Sequence, residues 1–351
     1  MPSPEKKSVI LERQLCLVNK IKKHHGLLVP WEIVDYDRDF EASESAGGIF
    51  DLSFYSLIEI QGRDAEDYLQ RMTTVQFKSL DDKSVVHGAF LNGRGCVVAM
   101  GMFKRKGPDC FQILILDDFK ARLLEHIEQF HFSEQFTTQD VTQNWVVLGC
   151  WSPDGNLASQ LGIESSSLPL LLQRSVTSGV PIEAWKDVRR HSLFWIVIPA
   201  SGATSFINYF LNGNYSILGV RLFEYFRIQS GMPDPGEELT EKDIILEGNF
   251  DEAVARNKGC YPGQEVVERI FTYGQVNRKL QRVTLGSDCD ENISLPQIVK
   301  FGEKEVGTLV SIELNPRNPK AGVGLMYVKK EFGNSKDNWS VSPCWMVKLT
   351  S

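Results

Sequence analysis

Ser56-Leu57-Ile58-Glu59-Ile60-Gln61-Gly62-Arg63-Asp64-Ala65-Glu66-Asp67-Tyr68-Leu69-Gln70-Arg71-Met72 changes its period halfway along. Residues 56–60 alternate in strand fashion, with successive side chains on opposite faces. Asp64 then offers an oxygen to the free N–H groups of a helix start, and Tyr68, Leu69 and Met72 share one helical face. Further on, Val86 to Leu91 and Cys96 to Phe103 flank the turn Asn92-Gly93-Arg94-Gly95 and read as a hairpin. Phe111 to Leu116 is another strand. Phe119 to Phe130 is an amphipathic helix with Leu123, Leu124 and Ile127 at helical spacing, and Trp145 to Leu148 a further strand. The order predicts a split β-α-β-β-α-β unit of the α+β class, ferredoxin-like, with helices packed on an antiparallel sheet.

A second α+β stretch runs from about Pro181 to Gly231. His191 to Ile198 reads as strand and Leu222 to Gln229 as helix, stopped by Gly231 and Pro233. Met232-Pro233-Asp234-Pro235-Gly236 must turn, because its two prolines forbid a continuing helix. After Asn277 short strands alternate with turn residues such as 302–305 and 315–319, the texture of a small C-terminal β-barrel.

Composition narrows the function classes. A chain of 351 residues is long for one core and predicts two or three domains. Its net charge of −7 and pI near 5.5 disfavour a broad nucleic-acid footprint. Lys20-Ile21-Lys22-Lys23-His24-His25 is a local basic run, read as the solvated face of a helical stretch. No run approaches the roughly 18 apolar residues of a membrane span, so no membrane partner is expected. The first residues lack the apolar core of a leader, which points to the cytoplasm. Cys16, Cys96, Cys110, Cys150, Cys260, Cys289 and Cys344 are scattered without a CxxC pair, so neither zinc nor a dithiol motif is expected. Trp31, Trp185 and Trp195 can stack on a planar ring, but large aromatics more often build core.

One segment carries chemistry. Between Arg256 and Arg278 polar residues and glycines are dense, and Lys258-Gly259-Cys260-Tyr261-Pro262-Gly263-Gln264-Glu265 sets a cysteine among them. The glycines allow close approach of the backbone. Lys258 and Arg269 favour a thiolate if they fold beside it, as does the helix start expected after Pro262. A structural cysteine in a tight turn fits these residues as well, and Glu265 and Glu268 can equally pair on a solvated surface.

This octapeptide resembles the signature of the YgfZ family of folate-binding proteins, relatives of the glycine-cleavage T-protein. Glu224 to Pro233 resembles that family's helix before a Gly-x-Pro turn, Ile245 to Phe250 its Pro-x-Glu segment, and Gly274 to Leu280 its linker to the C-terminal barrel. Weaker similarity runs through Gly62 to Leu69 and Gly307 to Ser311. The resemblance implies a T-protein-like fold divided at 1–50 (a segment packing on the folate region), 51–150, 151–276 (carrying the cysteine loop) and 277–351 (the barrel). It implies tetrahydrofolate as cofactor, iron–sulfur enzymes or cluster-assembly proteins as partners, and Cys260 with Lys258 as the reactive pair. Arg227, Gln229, Glu247, Tyr261, Gln264, Glu265 and Arg269 are then the expected cofactor contacts. Some relatives are described as tRNA-modifying, through an iron–sulfur client.

Two departures matter. After the run Gly95-Cys96-Val97-Val98-Ala99, where the T-protein carries an aspartate, this chain has Met100, and a thioether accepts no proton. Gln229 stands where the T-protein has a glutamate, which removes charge from the pterin contact. Arg227 can meet either the folate tail or a buried acid such as Glu247. The leading reading is therefore a folate-binding accessory protein of iron–sulfur assembly or repair. Aminomethyltransferase-like one-carbon transfer is the alternative enzymatic reading, and a non-catalytic or RNA-associated module the third.

Overall fold

The computed structural model describes residues 5–164, 170–177, 179–213, 215–274, 276–287, 293–341 and 345–350. Cys289, Cys344 and Gln275 fall outside the described residues. The chain forms two compact units: one from residues 1–70, 75–88 and 101–223, the other from 71–74, 89–100 and 224–351.

The first unit holds a six-stranded sheet, ordered Gln173–Thr177, Val180–Lys186, Leu193–Pro199, Trp145–Trp151, Gly48–Asp51 and Ser216–Leu218. All its neighbours pair antiparallel except the last two, which run parallel. Leu148, Ile196 and the helix residues Phe206 and Phe210 are fully buried in one cluster, because Ala203–Asn212 presents an apolar face to the strands.

A five-stranded sheet is ordered Val85–Leu91, Val97–Gly107, Cys110–Leu116, Tyr55–Gln61 and Thr137–Asp140. Helices Ala65–Met72 and Asp117–Gln129 join its strands, and Leu123 and Ile127 of the second are buried. The expected α+β layer is present with two changes. The three strands read between its helices are all present, one more than the β-α-β-β-α-β pattern holds, and its closing strand is Thr137–Asp140. Trp145–Trp151 belongs instead to the six-stranded sheet, where Phe194 pairs with Cys150. Periodicity identifies a strand but leaves its partner open.

Two local readings are corrected. Lys20–His24 is a strand paired with Leu27–Glu32, not a helix, and Lys22 Nζ sits 3.9 Å from the Trp31 ring centroid. Asp64 receives the Tyr68 N–H on its backbone carbonyl, whereas its carboxylate accepts the Gln135 N–H at 2.7 Å. Its side chain thus pins a loop.

The second unit contains helix Val220–Gln229 from Glu224 onward, the hairpin tip 89–100, helix Gln264–Tyr273 and a closed six-stranded barrel. The barrel order is Arg278–Ser287, Asn318–Lys329, Lys304–Asn315, Gln297–Phe301, Asn338–Ser340 and Trp345–Leu349. Val283, Leu309, Met326 and Trp339 fill it. Gly231, at φ +71°, ends the long helix as expected.

Candidate functional site

The cysteine loop is fixed from below by two threonines. Fully buried Thr74 donates its backbone N–H to the Ala89 carbonyl and accepts the Ala255 N–H on its own carbonyl, both at 2.9 Å. Its hydroxyl donates to the Ala253 carbonyl and accepts the Ala89 N–H at 2.8 Å. Thr73 contributes its carbonyl oxygen, to which Lys258 Nζ donates. The contacts to Ala253, Ala255 and Lys258 span more than 150 residues of chain, so no local pattern announced them.

The loop is held from the side by two glycines. Gly263, at φ +79°, begins helix Gln264–Tyr273. A Cβ there would lie 2.5 Å from the Asn92 carbonyl oxygen and 2.7 Å from Gly95 Cα. Only glycine permits that approach. Asn92 shapes the facing turn by accepting the N–H groups of Arg94 and Cys96 on its side-chain oxygen. The Gly95 carbonyl accepts the Ile245 N–H at 3.1 Å, which brings the Ile245–Gly248 turn alongside.

Within this frame Lys258 and Tyr261 are buried while Cys260 between them is exposed. Lys258 Nζ lies 5.1 Å from the Tyr261 ring centroid. Burial brings the Lys258 pKa down from 10.5 to about 7. Burial, with a smaller contribution from Glu268, pushes the Tyr261 phenol up to about 12. The Tyr261 hydroxyl is buried and meets no hydrogen-bond partner among the described residues. Gln264 reaches back to the Lys258 carbonyl at 3.5 Å, while Glu265 and Arg269 face solvent.

A second polar set adjoins the Gly95 turn. Arg278 donates to Asp243 at 2.5 Å and Glu247 at 3.4 Å, and its guanidinium lies 4.3 Å over the Tyr327 ring. Burial raises the Glu247 pKa, which Arg278 only partly counters. Burial likewise raises Cys96, helped by Asp243 and Glu247. That makes Cys96 the less reactive kind of thiol.

Arg227 lies elsewhere in the second unit. Its Nε donates to Glu224 at 2.8 Å, Nη1 to Glu238 and the Met232 carbonyl at 2.9 Å, and Nη2 to Glu238 at 3.0 Å. Glu238 also accepts the Asp234 N–H at 2.6 Å, so this cluster locks the double-proline turn. The acids that hold Arg227 are Glu224 and Glu238; Glu247 goes to Arg278. With every guanidinium nitrogen engaged, Arg227 does not fit a folate tail. Gln229 is exposed at the end of helix Val220–Gln229 and receives Arg282 on its backbone carbonyl at 2.7 Å, which places it beside the barrel strand Arg278–Ser287. Among the described residues, groups with free or adaptable valence for a folate include the Glu247 acceptor, the half-exposed Arg278 cation, the exposed Gln229 and the Tyr261 hydroxyl. Arg278, Asp243 and the two threonines were not among the expected site residues.

Among the described residues no group of three or more His, Cys, Asp or Glu side chains is arranged to hold a metal, and no helix is long and apolar enough to cross a membrane. Trp31, Trp185 and Trp195 are core residues.

Residues 23–161 match the GCVT N-terminal domain family. A chloroplastic protein of Arabidopsis thaliana, provisionally named a transferase, is 24% identical over 85% of this chain and 70% of its own. The mitochondrial iron-sulfur cluster assembly factor IBA57 homolog of Dictyostelium discoideum is 23% identical over 68% of this chain and 63% of its own. The glycine cleavage system aminomethyltransferase T of Bartonella henselae superposes with a TM-score of 0.83 at 16% identity, covering 99% of this chain and 97% of that one. Residues 23–161 thus resemble the GCVT N-terminal domain, and the chain has the T-protein fold along its length.

Proposed function

We propose that this chain is a folate-related accessory protein of iron–sulfur cluster assembly, of the YgfZ type, acting through the Cys260 thiolate. One observation carries the reading: an exposed thiol in a loop anchored on both sides by buried Lys258 and Tyr261. Such anchoring sets the position of a nucleophile or soft ligand without burying it, and the thiolate is the form that serves either role. The cluster, or the sulfur on its way to it, is the cargo.

Lys258, titrating near neutrality, can hold or release a proton beside the loop. We assign folate recognition to Glu247, as acceptor for the ring amino and N–H groups, and to Arg278, as cation for a tail carboxylate. Tetrahydrofolate, when bound, supplies a reduced ring nitrogen able to carry a one-carbon unit. Direct aminomethyl transfer is the weaker reading, because Met100 is buried and offers no proton acceptor. The similarity to a cluster-assembly factor supports the choice of partner.

The test pairs tetrahydrofolate titration with complementation of a strain defective in iron–sulfur enzyme activity. Cys260→Ser is expected to fold and bind tetrahydrofolate as wild type does, yet to restore no enzyme activity. Full rescue by Cys260→Ser would sink the role of the thiol, and absence of tetrahydrofolate binding by wild type would sink the folate role.

A further inference from the structure

The basic strand Lys20–His24 lies outside the cysteine loop, and its backbone is open along one side. It is half of a two-stranded sheet in the first unit. The hairpin closes on His25 and Gly26, at φ +43° and +80°, the two left-handed positions of a two-residue turn. His25 is buried, and its Nδ1 meets the Asp118 carboxylate at 3.2 Å, which fixes the tip to helix Asp117–Gln129. The ring of His24 packs on Trp31 and Phe54, with centroids 5.7 and 4.8 Å apart. The strand is thus held at its tip and from one face.

Register shows which backbone groups remain. Leu28 stands opposite Lys23, yet it donates its N–H to the Lys6 carbonyl and accepts the Ser8 N–H on its own carbonyl, both at 2.9 Å. Lys23 and Leu28 are therefore a non-hydrogen-bonded pair, and the N–H and C=O of Lys23 point away from the hairpin. Those of Ile21, two residues back, do likewise; Pro30 opposite has no N–H to offer. Among the described residues no strand pairs with this edge. Lys20, Ile21, Lys22 and Lys23 are exposed, Ile21 by 52%, and Leu17 and Val34 nearby are exposed by 94% and 49%. Lys20 shares Glu32 with Arg221, at 3.6 and 2.9 Å, whereas neither Lys22 nor Lys23 meets a carboxylate among the described residues.

We propose that this edge docks an extended acidic segment of a partner protein, which adds a third strand to the hairpin and brings carboxylates beside the lysines. Main-chain hydrogen bonds supply the affinity of such an addition, and alternate side chains supply the selection. The lysines decide the occupant. They would repel the same edge of a second copy, which is how open strands commonly avoid self-pairing. They favour a strand that presents carboxylates next to them. An anionic lipid surface matches the charge as well, but it offers no row of donors and acceptors at strand spacing for Ile21 and Lys23. A polynucleotide is disfavoured by the net charge of −7.

The experiment titrates full-length protein with three labelled, end-capped octapeptides: one alternating Glu and Val, one alternating Lys and Val, and the acidic one N-methylated at every amide. Binding is read by fluorescence anisotropy and, in the wild type, by hydrogen–deuterium exchange over residues 17–24. The acidic peptide should bind and slow exchange at Ile21 and Lys23, and the other two should do neither. Lys22→Glu combined with Lys23→Glu should weaken binding about tenfold or more. Ile21→Pro removes one outward N–H at an edge that tolerates proline and should weaken it about fivefold, whereas Ile21→Val should not. The docking site is ruled out if the acidic peptide leaves exchange over 17–24 unchanged, or if the double variant binds like wild type. It is ruled out equally if the N-methylated peptide binds as well, which would leave only diffuse charge, or if phosphatidylserine vesicles retain the protein and the peptide does not bind. Exchange is read in unaltered protein, so a variant that misfolds leaves the test intact. The cysteine loop takes no part, so failure here leaves the proposed role of Cys260 standing.

Discussion

Lys258 shows how burial of one amine makes the stability of a fold depend on pH. In the unfolded chain it keeps its proton up to about pH 10.5, while in the fold it loses it near 7. Between those values the unfolded state binds more protons, so this residue makes stability rise with pH, by at most about 1.4 kcal/mol per unit. The penalty of burying the amine is thus largest below pH 7, shrinks as pH rises from 7 toward 10.5, and is gone above 10.5. Tyr261 acts in the opposite sense above pH 10, since its phenol is pushed up to about 12. The useful quantity is therefore the difference between wild type and Lys258→Met, measured by urea unfolding from pH 7 to 9.5. The stability of Lys258→Met relative to wild type should fall steadily over that range. A flat difference would mean that Lys258 stays charged in the fold. That the lysine mattered was legible in the sequence, because it stands two residues from a cysteine among glycines. Its buried partner, the Thr73 carbonyl, was not, because 185 residues separate them.

At the scale of elements, the turn that opens helix Gln264–Tyr273 depends on one missing Cβ. Alanine at Gly263 would hold a left-handed backbone and press within 2.5 Å of the Asn92 carbonyl. Neither neighbour is a flexible side-chain end. Gly263→Ala should therefore cost about 2–4 kcal/mol of unfolding free energy. Gly259→Ala, whose Cβ would meet nothing within 4 Å, should cost under about 1 kcal/mol. Equal losses in thermal unfolding would refute the close-approach account. Elements of this kind were legible where period and punctuation agreed, as in the hairpin around Asn92 and the helix stopped by Gly231. They were misread where period was absent. Lys20–His24 carries four exposed residues out of five, so nothing in it distinguishes a solvated strand from a solvated helix face. Trp145–Trp151 was recognised as a strand but given to the wrong sheet, because pairing is decided by residues far away in the chain.

For the molecule as a whole, recognition and geometry made different contributions. An ordered series of motifs from Gly62 to Ser311 pointed to the T-protein fold, which the whole-chain superposition bears out. The two ligand candidates of this helix differ in freedom: Arg227 is spent on Glu224 and Glu238, whereas Gln229 is exposed and gives only its backbone carbonyl to Arg282. Partner choice depends on a quantity of the entire chain, its charge. Binding to a polyanion draws its free energy largely from counterions released as lysines and arginines neutralise phosphates. Here 45 acidic residues outnumber 38 basic ones. Many of the cations are also committed: Arg227, Lys104 and Arg190 are buried against carboxylates, and Arg278 pairs with Asp243. Filter binding of bulk tRNA at roughly physiological salt should thus give no specific retention, and the weak retention at low salt should vanish as salt rises. Any effect of the protein on tRNA modification in cells would then run through an iron–sulfur client and disappear with Cys260→Ser. Tight tRNA retention that persists at high salt would reverse this, and would make the chain itself, rather than a client enzyme, the reader of RNA.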